Sequence, residues 1–105
     1  MTLPMTDLYA ETHAKLNAET GRLTWKELER HFARGVVIRV DPELDLIDVA
    51  TRFVLDDKAH VSQWLESGEV ARASEEEAKG WSAGESVFWA VVAAPWVLVQ
   101  EIRVH

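Results

Sequence analysis

The chain has 105 residues, 48% of them hydrophobic, and a formal net charge of -7 at pH 7. That length suits one domain, which buries roughly 65% of its unfolded surface, enough for a modest core without staples. Cysteine is absent, which excludes disulfides, thiolate metal sites and thiol nucleophiles within the chain, and the nine acids against four bases of residues 53–105 argue against a broad nucleic-acid surface.

The first residues hold no basic segment followed by an apolar one, so no signal peptide is expected. Residues 7–20 predict the first helix, capped by Thr6 or Asp7 and stopped by Gly21. Its apolar edge is soft: Leu8, Thr12 and Leu16, with alanines at 10, 14 and 18. Thr24-Trp25-Lys26-Glu27 then reads as a capping box, with Leu23 and Leu28 placed as a hydrophobic staple. Trp25, Leu28 and Phe32 line one face of this second helix, and Gly35 supplies its left-handed stop.

Residues 36–40 change period and predict a short strand. Asp41-Pro42 is expected to restart a helix, with Asp41 as cap and Pro42 at the first helical position. Leu46, Ile47, Ala50, Phe53 and Val54 form its apolar stripe. Asp57 can cap the next helix, which turns Val61, Trp64 and Leu65 inward and ends at Gly68. Residues 69–73 are a short extended candidate. Ser74 and Glu77 form a second capping box before Ala78 and Trp81.

Residues 86–100, SVFWAVVAAPWVLVQ, carry no charge at all. The run is shorter than the ~20 residues of a spanning helix and is broken by Pro95, so no membrane role is expected. Its β-branched and aromatic content predicts strands at residues 87–93 and 96–104, with Pro95 in the turn or at a bulge. A helix starting at Pro95 is the competing reading, since Trp96, Val99 and Ile102 share a rough face. In the first strand Val87, Trp89, Val91 and Ala93 would face one side, and Phe88, Ala90 and Val92 the other. Neither side is polar, so helices or a second subunit must cover both. The expected fold class is α+β: a single domain over residues 1–105, with its ordered core at about 7–104 and about four helices. A short mixed or antiparallel sheet includes the C-terminal strands.

Chemistry is sparse. Motifs for phosphate loops, dinucleotide binding and nucleophile elbows are missing, and no cofactor is expected. His13, His31, His60 and His105 form no short pair, and Asp41, Asp45 and Asp48 lack the length and turn glycine of a calcium loop, so no metal site is expected. The candidates for a polar catalytic or small-molecule site are His31, Arg34 and Glu19. A histidine suits proton transfer near neutrality, and an arginine can orient a carboxylate or phosphate. The plainer explanation of His31 and Arg34 is that cations complement a helix C-terminus. Arg30, Arg34 and Arg39 offer at most a local basic patch. Phe88, Trp89 and Trp96 are the interface candidates, because the uncharged strand needs cover and tryptophan concentrates at binding hot spots. A homodimer or another protein is the expected partner. These features favour a non-enzymatic interaction or self-assembly module, with a small-molecule enzyme or sensor as the alternative.

The stretches Trp25-Lys26-Glu27-Leu28, His31-Phe32-Ala33-Arg34-Gly35, Leu44-Asp45-Leu46 and Pro95-Trp96-Val97-Leu98-Val99-Gln100-Glu101 occur together. In these the chain resembles a family of small bacterial proteins known only as a domain of unknown function, from about Leu16 to Glu101. The resemblance implies a bacterial cytoplasmic protein standing alone as one domain. It carries over no activity, cofactor or site residue.

Overall fold

The structure is a computed structural model and describes residues 5–102. Ten elements follow in order: α1 (Met5–Glu19), β1 (Gly21–Thr24), α2 (Trp25–Ala33), β2 (Val37–Val40), α3 (Leu46–Val54), α4 (Lys58–Ser67), β3 (Val70–Arg72), α5 (Glu75–Ala83), β4 (Val87–Ala93) and β5 (Trp96–Glu101). The five strands form one mixed sheet, β1-β4-β5-β2-β3, parallel only between β5 and β2. The chain is thus a small single α+β domain whose C-terminal strands lie in the sheet, with five helices where about four were expected.

Local signals set most boundaries. Thr24 Oγ1 accepts the Glu27 N–H at 3.3 Å while Glu27 Oε1 accepts the Thr24 N–H at 3.2 Å. Ser74 and Glu77 repeat the exchange at 3.1 Å each way. Gly35 and Gly68 sit in the left-handed region, at φ 74° and 82°, where a side chain would be strained.

Two boundaries differ from expectation, and at a third the favoured strand reading holds over its helical alternative. Asp41 and Pro42 start no helix. The Asp41 carboxylate is drawn into a local turn by the Glu43 N–H at 2.8 Å, and Asp45 caps α3 instead, accepting the Ile47 N–H at 3.0 Å. Strand β1 was not foreseen. Its four residues carry one half-buried side chain, Leu23, and become a strand because β4 offers an edge to pair with. No helix begins at Pro95: Trp96 opens β5, and Ala94–Pro95, a cis peptide, makes the turn from β4. The expected extension of β5 to Val104 runs outside the described residues.

Strand alternation divides the core in two. On one face Ile38, Val40, Val91, Ala93 and Leu98 pack with Leu16 of α1 and with Leu46, Ile47, Val49 and Ala50 of α3. On the other, Val37, Phe88, Ala90, Val97 and Val99 pack with Leu28 of α2 and Trp81 of α5. Trp81 meets Phe88 edge-on with ring centres 4.9 Å apart, and Trp25 lies 6.0 Å from Trp81. Helices of the same chain therefore cover most of both faces of the uncharged strand, leaving Trp89 on one face and Val92 on the other exposed.

Candidate functional site

The sequence-derived site residues fall in different surroundings. Phe88 has no exposed surface. Trp89 is 42% exposed on the α1 side of the sheet, with the Arg22 guanidinium 4.9 Å from its ring centre. Trp96 is half-buried against the α3-side core, and the Arg72 guanidinium lies 5.2 Å from its ring centre. Alternation also leaves Val92, on the opposite face from Trp89, 57% exposed.

Glu19 and His31 come together; Arg34 does not join them. Glu19 ends α1 and His31 sits in the last turn of α2, and both line a shallow depression of about 200 Å³ floored by Ala90, Val92 and Val97. Arg34 is the exposed C-cap residue of α2. Of the basic-patch candidates, Arg39 is already committed. Its two terminal nitrogens each donate to the Gly68 carbonyl at 3.2 Å. Its Nε lies 2.8 Å from Glu77 Oε2, an ion pair without hydrogen-bond alignment.

The depression lies where β4 loses its outer neighbour. Strand β1 pairs with Val87, Phe88, Trp89 and Ala90, and its register ends at Gly21 opposite Ala90. On its inner side β4 continues, pairing Val91, Val92 and Ala93 with Leu98, Val97 and Trp96 of β5. Residues 91–93 thus have a strand on one side only. Val92 lies at the middle of that open edge.

A polar chain ties three helices together elsewhere. Tyr9 of α1 donates its O–H to Asp48 of α3. Arg52 lies one turn on, its Nε 3.3 Å from Asp48 Oδ1, its Nη1 3.0 Å from Asp57 Oδ2, and its guanidinium 4.7 Å from the Tyr9 ring centre. Asp57 caps α4 and lies 2.8 Å from His60 Nδ1. Burial, and then the Asp48 carboxylate that accepts its proton, push the Tyr9 phenol up to about 12. Desolvation pulls the Asp57 carboxyl upward. Hydrogen bonds from the His60 N–H and the Arg52 guanidinium outweigh it and hold Asp57 below its ordinary value. Arg52 is raised: desolvation opposes its charge, but Asp57 and Asp48 more than restore it. The sequence marks Asp57 as a helix cap and assigns Asp48 no partner. The i, i+4 spacing of Asp48 and Arg52 was the available signal for their pairing.

A hollow of about 410 Å³ opens between the end of α3, α4 and the β4–β5 turn. Phe53, Val61, Leu65 and Trp96 supply apolar walls, and Lys58 and Arg72 supply cations. Helix α4 buries no residue fully, and Leu65 is 50% exposed. Among the described residues no three histidine, aspartate or glutamate side chains are disposed to hold a metal ion. No described helix is long and apolar enough to cross a membrane.

Comparison with known proteins follows this geometry closely. A family model described as "Protein of unknown function (DUF2288)" matches residues 11–101. The NMR solution structure of PA1075 from Pseudomonas aeruginosa is similar at 38% identity, with a TM-score of 0.77, covering 99% of this chain and 100% of that one. No curated protein matches at a significant level. The match over nearly the whole length, together with that bacterial relative of the same fold, means that this chain belongs to the DUF2288 family.

Proposed function

We propose that the protein is a non-enzymatic interaction module that self-associates through the outer edge of β4 at residues 91–93. The observation that carries this reading is the register: β1 stops opposite Ala90 while β4 runs on to Ala93, with Val92 57% exposed. An open strand edge offers unpaired N–H and C=O groups and takes up another strand readily. Natural edges are often guarded by charge or proline, and residues 91–93 carry neither.

A second copy suits that edge. Antiparallel pairing about a twofold axis sets the same three residues against themselves, so one patch serves both partners. The uncharged edge is also where two chains of net charge -7 can approach with least like-charge contact. Glu19 and His31 then stand at the rim, and Arg22 and Trp89 lie behind β1 on the other face. Trp96 contributes through the strand end, opposite Ala93.

The test is sedimentation over a range of concentrations. Twice the chain mass of 11.9 kDa is expected on concentration, and Val92→Lys is expected to remain monomeric with an unchanged amide spectrum. A wild-type chain that stays monomeric at millimolar concentration overturns the proposal.

A second reading rests on the shared depression of Glu19 and His31, as a small-molecule enzyme or sensor site. It predicts that His31→Gln abolishes binding of a small ligand without altering the sedimentation profile.

A further inference from the structure

We propose that the hollow beneath α4 binds small amphipathic carboxylates, an aromatic or acyl body ending in one carboxylate. This site borders the β4 edge, sharing Ala93 and Trp96 with its end, but does not rest on the self-association reading. Its volume of about 410 Å³ falls in the range of small-molecule pockets, roughly 300–1,000 Å³. Phe53, Val61, Leu65 and Trp96 give an apolar wall from three elements, α3, α4 and β5.

Charge decides the polar end. Arg72 lies on the edge strand β3, opposite Ile38, and its guanidinium sits 5.2 Å from the Trp96 ring centre. Among the described residues no carboxylate lies within ion-pair distance of it. Of the acids that also line the hollow, Asp57 is engaged and Asp56 points largely to solvent. Asp57 is held by Arg52 at 3.0 Å and by His60 at 2.8 Å. Asp56 lies 3.9 Å from Lys58, an exposed and weak contact. What the hollow leaves for a ligand is therefore one guanidinium beside an aromatic ring, with the Lys58 ammonium and the exposed Asp56 carboxylate at the rim.

The class of anion follows. A guanidinium meets a carboxylate with two parallel N–H···O bonds, and the Trp96 ring beside it limits where the Arg72 head can go. A free phosphate prefers several cations or a row of backbone N–H groups, and has no use for an apolar wall. Burial of the hydrocarbon body against Phe53, Leu65 and Trp96 supplies the rest of the affinity. Helix α4 holds to the core through Trp64 and buries no side chain fully, leaving Val61 and Leu65 free to meet the body.

The test is a titration of the full chain with 4-phenylbutyrate, followed by amide chemical shifts. Saturable shifts confined to α4, the end of α3, Arg72 and Trp96 are expected. The neutral analogue 4-phenylbutanol and inorganic phosphate are each expected to bind at least tenfold more weakly, since each lacks one half of the recognition. Arg72→Gln is expected to weaken 4-phenylbutyrate about tenfold, and Arg72→Lys by less, because charge remains and the fork is lost. Dispersed amide spectra of both variants certify their folds. No saturable shift at millimolar 4-phenylbutyrate overturns the proposal. So does equal affinity for the alcohol, equal affinity for phosphate, or an Arg72→Gln chain that binds as the wild type does.

Discussion

The first half of β4, residues 87–90, and its second half, residues 91–93, are built from the same apolar side chains and meet different surroundings. The first half has β1 outside it and β5 inside, with Phe88 fully buried against Trp81. The second half keeps β5 but has no strand outside, and Val92 stands 57% exposed. Residue type alone does not tell these halves apart. The difference comes from where a four-residue partner strand happens to stop: side chains of both halves enter the core, but only residues 91–93 lack a strand on their outer side.

Removing a large side chain from the inner half is the harshest test of that contrast. Phe88→Ala is expected to lower stability by about 3–5 kcal/mol, as transfer and cavity costs add. Chemical denaturation measures it. A loss under about 1 kcal/mol would mean that Phe88 is not the anchor its burial implies. Trp89, three residues before Val92 but 42% exposed, is expected to matter less. Losing its contact with Arg22 in Trp89→Ala should cost about 1 kcal/mol, the order of an exposed cation–π pair. A cost as large as that of Phe88→Ala would erase the distinction between the two faces of β4.

Helix α1 borders the open half, and its tie to α3 through Tyr9 and Asp48 can be titrated. The chain has one tyrosine, so tyrosinate absorbance reports Tyr9 alone. Its folded value, about 12, lies above the ordinary 10.0. The folded state therefore holds the proton more tightly than the unfolded state does. The resulting stability is complete below pH 10 and is lost as pH rises toward about 12. Asp57 works in the opposite direction: its folded value is lowered, so its contribution holds above the ordinary carboxylate range and disappears as pH falls through the folded value. Tyr9→Phe should flatten the alkaline arm and leave the acid arm in place. An alkaline arm unchanged in that variant would show that another group causes it.

Much of the fold was legible because local chemistry specifies it. The Thr24–Glu27 and Ser74–Glu77 boxes, the left-handed glycines at 35 and 68, and the alternation in residues 87–93 each act over a few residues. Asp41 and Asp45 show the limit of such reading. Both can cap a helix, and the choice between them is settled by tertiary contacts, including Gln100 of β5 donating to the Asp41 and Leu44 carbonyls at 2.9 and 2.7 Å. Strand β1 was hidden for the same reason: Gly21-Arg22-Leu23-Thr24 has no periodicity of its own and is a strand only beside β4. Glu19 and His31 were named for their chemistry, but their meeting depends on α1 and α2 flanking one sheet edge. Arg72 passed unnoticed because a lone arginine gains its meaning only from the ring of Trp96 beside it.

Residue-resolved amide exchange, measured on the wild-type chain at low and high concentration, tests the open edge most directly. At least one amide among residues 91–93 is expected to exchange more slowly at high concentration, while the amides of residues 87–90, already flanked on both sides, hold their rates. Identical rates at both concentrations across residues 91–93 would contradict the claim that this edge receives a second copy.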